Sequence, residues 1–512
     1  MPTGRSWTDP IADVGSLVRF RFGAARPDRP GGARRTRLLI GIPAAITLAV
    51  LLVPAAAAGA GSREGYALDL LVILPTAATA FLLLTIVSAV ASGGGRELLS
   101  REHGVAYPVS PVTDHLGALL MAPLNIAWLV QGWLLLGLTS YGAGWRALLP
   151  AELLMLLFLA AATALGQVVG WSVEAVRRAR YGVVAYRGLV VASLALSAWL
   201  VATDRLVDVL SASPTVHLAV AVARIQDGEA GYPLAVLGVL VALLVASVLA
   251  GIVPATLALR RPPRDEARLE SGTHRPRGDA RSDLMALARV DLSSVLRSVP
   301  LRRGLLTLAL LPGLAALGGA IAWDMLILMP GLVASGAALL FGVNAWCLDG
   351  RGALWRGSLP VDPDLAFVSR AGVLAGLLMA ASAVTIALGS LRAGLPSAAV
   401  LVALLCAWLV VTLQVTTASM RWSARAPYAA DMRSARATPA PPAVMVGYSA
   451  RLALSTTLLG LLFSTVAVFG VWWLSVVVAA PLLAWWWRRL GQVRRQWSEP
   501  TTRSRVAVTV AA

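Results

Sequence analysis

Lysine is absent from all 512 residues, and each of the 44 basic residues is an arginine. A P-loop needs a lysine to reach the β and γ phosphates of a nucleotide, so the chain holds no standard ATP-hydrolysing module of its own. Charge is scarce as well, at 14% of residues against 58% hydrophobic. Soluble globular chains are about 45 to 50% apolar, which excludes an ordinary soluble domain and places this chain in a bilayer. The two cysteines, Cys347 and Cys406, stand in no Cys-x-x-Cys or metal-ligand spacing and imply no disulfide framework. His103, His115, His217 and His274 are scattered without a His-Glu-x-x-His pattern or an acidic cluster, so no metal, no cofactor and no catalytic residue is expected.

What fills the chain instead is long apolar runs. A bilayer core of about 30 Å takes roughly 20 apolar residues in a helix. Twelve runs approach that length: Leu38 to Ala60, Tyr66 to Ala91, Leu116 to Ser140, Leu148 to Val173, Gly188 to Thr203, Tyr232 to Leu259, Leu305 to Ala322, Met325 to Trp346, Ala371 to Leu391, Pro396 to Met420, Leu452 to Val468 and Val471 to Trp487. With the N-terminus inside and the spans alternating, the outer loops hold only Arg63, Arg146, Arg205, Arg224 and Arg392, and all other arginines fall on the cytoplasmic side. Both termini are therefore expected inside. The net charge of +18 is read as this topogenic signal, not as a nucleic-acid footprint. The rival reading at the start, a cleaved signal peptide ending near "VLLVPAAAAGAGS", is disfavoured by the 37-residue Arg-rich leader before it. The all-arginine basic set fits a GC-rich bacterial genome, and hence a bacterial cytoplasmic membrane.

One short polar loop is written twice. "GGGRELLSREHGVAYPVSP", Gly93 to Pro111, and "LDGRGALWRGSLPVDP", Leu348 to Pro363, both have Gly-Arg near the start and close on Pro-Val-x-Pro before the next apolar run. Each lies between the second and third run of a six-run half. Leu165-Gly-Gln-Val and Leu413-Gln-Val also recur near the ends of the fourth and tenth runs. Each half is preceded by an amphipathic stretch. Ile11, Val14, Val18 and Phe22 share one helical face, and so do Leu284, Ala288, Leu292, Val295 and Val299, with Asp291 at the edge. Such helices lie in the membrane interface. The expected fold is thus an all-α polytopic membrane protein of about twelve transmembrane helices in two parallel six-helix repeats, each preceded by an interfacial elbow helix. The first half covers 1–259, a charged, Pro-bearing cytosolic linker 260–282, and the second half with a short tail 283–512.

This arrangement resembles the permease subunits of type-2 ABC exporters, with two half-permeases fused in one chain. The resemblance spans nearly the whole length and rests on arrangement more than on residue identities. It implies that each repeated loop carries a coupling helix docking on a separate ATPase, so two loops would serve two ATPase subunits and drive export of a substrate the sequence does not name. On that reading Arg96, Glu97, Arg101 and Glu102 in the first loop, and Arg351 and Arg356 in the second, make charged partner contacts. Tyr107 and Trp355 are the aromatic anchors, and Pro108 and Pro360 end the coupling helices. The alternative is a solvated loop whose charges only set topology. The family often has small extracellular helices between spans five and six. "DRLVDVLSASPTVHLAVAVARIQDGEAG" has room for them, whereas "TVAVFGVW" has none, so the halves are expected to differ.

Asp69, Asn125, Gln131, Glu152, Gln167, Asn344 and Gln414 are the polar residues within the runs, read chiefly as interfacial acids and interhelical amides. Trp485 to Trp487, followed by Arg488 and Arg489, read as an interfacial anchor. Two other classes stay open: an ion- or proton-coupled secondary transporter, and an integral membrane protein without transport. The carrier would want acids near the midplane, whereas Asp69 and Glu152, the only charged residues within the runs, fall near outer helix ends.

Overall fold

The computed structural model describes residues 10, 12–17, 32–95, 109–124, 126–205, 208–209, 212–261, 278, 280–319, 321–350, 352–429 and 439–511. These residues form helices and no strand. In lipid only a helix or a closed barrel satisfies every backbone hydrogen bond internally. The chain divides into two compact units, Met1–Arg264 and Asp265–Ala512.

Among the described residues, nine helices are long and apolar enough to cross a membrane, which makes this an all-α multi-pass membrane protein. Three local features account for the difference from twelve runs. The third and fourth runs fall largely within one stretch, Trp128–Arg177, the first is seen as the short apolar helix Ala44–Ala55, and the last is rich in tryptophan and arginine.

The first unit comprises α1 (Gly32–Ala55), α2 (Tyr66–Ala91), α3 (Pro111–Met121), α4 (Ile126–Arg177), α5 (Gly182–Ala202), α6 (Val216–Gln226) and α7 (Gly231–Arg260). At a rise of 1.5 Å per residue, the 52 residues of α4 could extend about 78 Å, more than twice a bilayer core. The backbone leaves helical geometry at Gly144 (φ 66°, ψ 177°), which divides α4 into two apolar legs. A side chain at Gly144 would meet the Gly61 backbone at 2.8 Å, so both the dihedral and the close approach require glycine there. The second leg carries Gly166 and Gly170, whose missing side chains let α2 approach at Thr85 and Ala89. That is the small-xxx-small packing of membrane helices. Leu74, Phe81, Leu154, Met155 and Leu159 form the buried core where α2 and α4 meet. α1 and α7 also pack on α4.

The second unit comprises α8 (Asp283–Arg297), α9 (Val299–Gly318), α10 (Trp323–Leu326), α11 (Met329–Leu340), α12 (Gly352–Ser358), α13 (Pro363–Ser390), α14 (Ala398–Arg425), α15 (Pro442–Val468), α16 (Trp472–Ser498) and α17 (Pro500–Ala511). Its core joins Leu374, Val411, Val415, Met420, Tyr448 and Trp346. In the first unit α6 stands between α5 and α7, whereas only residues 469–471 separate α15 from α16.

The two amphipathic stretches are described unequally. Of the first, residues 12–17 are helical and Val14 is buried beside Met121 of α3. The second is α8, whose N-cap Ser282 accepts a hydrogen bond from the Met285 amide. Its buried side overlaps the apolar face of the helical wheel only at Val295. Asp291 and Val295 are buried, while Leu284, Met285, Leu292 and Leu296 are exposed.

Candidate functional site

The repeated loops are the natural place to look for a partner surface. In the first, Arg96, Glu97, Arg101, Glu102, Tyr107 and Pro108 lie outside the described residues, as does Arg351 in the second. The stems of the first loop are well defined. Gly93, Gly94 and Gly95 all have positive φ, at 66°, 94° and 101°, and turn the chain out of α2. A side chain at Gly94 would meet the Trp171 ring at 2.5 Å. Gln167 donates from Nε2 to the Gly94 carbonyl, so this amide on α4 clamps the loop's exit. At the far stem Ser110 caps α3 by accepting from the Thr113 amide at 3.0 Å, with Pro111 in the first turn.

The second loop is described apart from Arg351, and its middle is helical. Gly350 (φ 46°) turns the chain, α12 runs from Gly352 to Ser358, and Pro360 follows two residues after its last turn. Ala353 is buried, whereas Leu354 and Trp355 point outward at 54% and 69% exposure. Trp355 is thus placed where an interface anchor would stand. Arg356 is not. Its Nη1 turns inward and donates to Asp291 Oδ1 at 2.9 Å and to Asp349 Oδ1 at 3.1 Å.

These contacts belong to a four-residue ion cluster in which Asp291 and Arg370 are buried and Asp349 and Arg356 half-buried. Arg370 Nη2 donates to Asp291 Oδ1 at 2.8 Å and to Asp349 Oδ1 at 2.7 Å, and Ser369 Oγ donates to Asp291 Oδ2 at 2.7 Å. Arg370 Nη1 donates to the Ala345 carbonyl. Two carboxylates face two guanidiniums, which compensates charges that could not otherwise be buried. The elements tied together are α8 through Asp291, the loop through Asp349, α12 through Arg356 and α13 through Arg370. Burial by itself raises the Asp291 carboxyl. The Arg370 and Arg356 guanidiniums, with hydrogen bonds from Arg356 and Ser369, override it and hold the group below the ordinary carboxylate value. Burial pushes the neighbouring Cys347 thiol up to about 12, so it is a protonated, unreactive packing group.

An aromatic stack extends the cluster toward the C-terminus. The Arg370 guanidinium lies 4.9 Å from the Trp346 ring centroid, and Trp346 stacks on Trp497 at 3.9 Å with a 2° interplanar angle. Trp497 Nε1 donates to the Pro363 carbonyl at 3.2 Å, while Arg494 and Ser498 donate to Asp364 at 3.0 and 2.8 Å. Val506 and Val510 of α17 belong to the core that buries Ala353 of α12. The C-terminal helix is therefore part of the seat on which α12 rests.

The sequence singled out none of Asp349, Ser369 and Arg370, and marked Asp291 only as the edge of an amphipathic face. One signal was available: Asp362-Pro363 is a helix start, and Asp362 does cap α13 by accepting from the Asp364 amide. That start places Arg370 two turns inside the helix, where a buried arginine needs partners. The polar residues of the spans divide in a similar way. Asp69 is exposed, Asn125 lies outside the described residues, and Asn344 is buried, donating to the Tyr428 and Pro439 carbonyls at 2.7 and 3.0 Å. Glu152 is buried and accepts from Ser140 Oγ at 2.7 Å. Among the described residues no three His, Cys, Asp or Glu side chains form a group able to hold a metal ion. No protein-family model, curated protein or solved structure matches this chain.

Proposed function

We propose that the chain is the membrane-spanning permease of an ATP-driven exporter, with hydrolysis performed by two separate ATPase subunits docking on the two repeated loops. The observation that carries the reading is α12, a seven-residue helix between two apolar helices, with Leu354 and Trp355 facing outward and Arg356 locked to the body. A loop that only set topology would need neither a rigid seat nor an outward tryptophan. Aromatic anchors carry much of the energy of protein interfaces. The absence of lysine supports it, since the energy source must then lie on another chain.

On this reading the two legs of α4 count as separate crossings, and α1 and α16 cross as well, giving twelve spans in two six-span halves. The order then corresponds: α1 with α9, α2 with α11, the legs of α4 with α13 and α14, α5 with α15, and α7 with α16. Both termini and the 260–282 linker are cytoplasmic, in a bacterial plasma membrane. A secondary carrier is the second reading, and one observation favours it: the buried carboxylate of Glu152 within a span.

The test looks for a P-loop ATPase encoded beside the gene of this chain, coexpresses the two, and measures capture and ATP turnover per inserted permease; a neighbourhood without one counts against the reading. Trp355→Ala is expected to reduce both by roughly thirtyfold, the effect of losing about 2 kcal/mol at an interface. Wild-type capture that Trp355→Ala leaves unchanged removes the docking role. Proton-coupled transport without any ATPase, lost in Glu152→Gln, replaces the exporter reading by the carrier.

A further inference from the structure

A second polar feature of the second unit takes no part in that site. Where α14 and α16 leave their apolar stretches, a pocket of about 290 Å³ is lined by Arg421 and Arg425 from α14, by Arg489 and Arg495 from α16, and by Glu499 just beyond α16. The lining thus carries four arginines and one glutamate. None of the four has a carboxylate within ion-pair distance among the described residues. Arg494 on the same helix, by contrast, is paired with Asp364. Arg421 lies within electrostatic reach of Arg425, Arg489 and Arg451, all of its own sign. Arg421 and Arg425 are four apart on one helix, a spacing at which like charges repel and destabilise. A positive-inside signal needs arginines near span ends but does not need them gathered around one cavity.

We propose that this pocket binds a phosphate-bearing anion, and its position assigns the headgroup of an anionic phospholipid. Trp485 and Trp487, both exposed, stand on α16 immediately before Arg488 and Arg489, and the Arg489 guanidinium lies 4.8 Å from the Trp485 ring centroid. Tryptophans of this kind mark the depth of the membrane interface, so the arginines sit at headgroup level. Basic pockets between transmembrane helices are a recurring seat for acidic headgroups. The planar guanidinium, with its fork of N–H donors, matches phosphate oxygens two at a time. Bound there, the headgroup relieves the repulsion among the four arginines and joins α14 to α16. The inference is independent of the exporter reading and stands whether or not an ATPase docks.

The test places the purified full-length chain in nanodiscs of phosphatidylcholine with and without phosphatidylglycerol, and counts by native mass spectrometry the phosphatidylglycerol that remains on extraction. Wild-type protein is expected to retain it over phosphatidylcholine, and Arg421→Gln/Arg489→Gln to lose affinity roughly fivefold for each arginine removed. Arg494→Gln, which alters a paired arginine of the same helix, is expected to retain the lipid. Arg425→Gln/Arg495→Gln repeats the measurement should the first double variant fail to insert. Lipid that resists an excess of inorganic phosphate assigns the site to the headgroup, whereas displacement by inorganic phosphate alone assigns it to a soluble phosphate compound. Equal retention by wild type and both double variants, with no phosphate binding, overturns the proposal.

Discussion

Among the described residues each unit has an ion cluster centred on a buried carboxylate, and the two are built in opposite ways. In the first unit Glu174 is 2% exposed and receives Arg177, the last residue of α4, and Arg178 just beyond it, three and four residues on. Arg178 then reaches the Ala258 and Arg261 carbonyls at 2.8 and 3.0 Å, and Arg261 returns a bond to the Ala175 carbonyl at 2.9 Å. That cluster staples the end of α4 to the end of α7. In the second unit the arginine partners of Asp291 are 65 and 79 residues away, and with Asp349 they tie α8, the loop, α12 and α13 into one body. The local cluster fixes a helix end. The distant one fixes the seat of an exposed helix to the rest of its unit.

The largest expected effect breaks the distant cluster. Arg370→Met leaves buried Asp291 and half-buried Asp349 with only Arg356, and removing one partner of a buried pair typically costs about 3 to 5 kcal/mol. The thermal unfolding midpoint in detergent should fall accordingly. The double variant Asp291→Leu/Arg370→Met should be less damaging than Arg370→Met, because it removes a charge of each sign and leaves Asp349 with Arg356. A double variant as unstable as the sum of its single variants would show that the cluster acts as separate contacts and not as a unit.

Acid provides a second handle on the same group. Asp291 has its folded pKa lowered below the ordinary value of 3.8, so its stabilisation is fully present above that value and is lost as pH falls through the lower folded one. Wild-type protein should therefore lose stability between pH values near the ordinary Asp pKa and more acidic ones. Asp291→Asn should lack that component of the titration. A midpoint-against-pH curve that is the same for both would sever Asp291 from the acid response.

A smaller effect is expected in the first unit. Glu174→Gln removes the carboxylate from Arg177 and Arg178, but Arg178 keeps its two carbonyl acceptors. The loss should be about 1.5 to 3 kcal/mol, the usual worth of hydrogen bonds to a charged group. A drop as large as that of Arg370→Met would contradict the contrast between a local staple and a four-element joint.

The same contrast explains what could be read without coordinates. Apolar length delivered the helices themselves, and α2 begins and ends at the Tyr66 and Ala91 of the run, because Gly65 and the Ser92-Gly93 turn bound it on both sides. Where an arginine sits inside a helix, the run and the helix part company. The run at Gly188 begins after Arg187 although α5 begins at Gly182, and the run at Ala371 begins after Arg370 although α13 begins at Pro363. Hydropathy trims away a charged residue, and in α13 the trimmed residue is the centre of the joint. Spacing within one helix would have shown Glu174 beside Arg177 and Arg178. No spacing shows Asp291 beside Arg370, since their meeting depends on how α8 packs against α13. Asp291 was placed at the edge of an interfacial face because the wheel weighs hydrophobicity alone, and a carboxylate with two guanidinium partners is buried in spite of it.

The smallest effect on stability is expected at the residue with the largest expected effect on a partner. Trp355 is 69% exposed, and no side chain of the core closes over it. Surface substitutions away from special features change stability within about 0.5 kcal/mol, so Trp355→Ala should leave the unfolding midpoint and the amount of inserted protein near wild type. Its neighbour Arg356, one residue on in the same short helix, should behave oppositely, because Arg356→Ala removes a guanidinium shared by Asp291 and Asp349. Two adjacent substitutions then separate the outward and inward faces of α12. If Trp355→Ala lowers the midpoint as much as Arg356→Ala does, the tryptophan is a packing residue, α12 has no free face, and the loop's exposed aromatic ceases to be an argument for a docked partner.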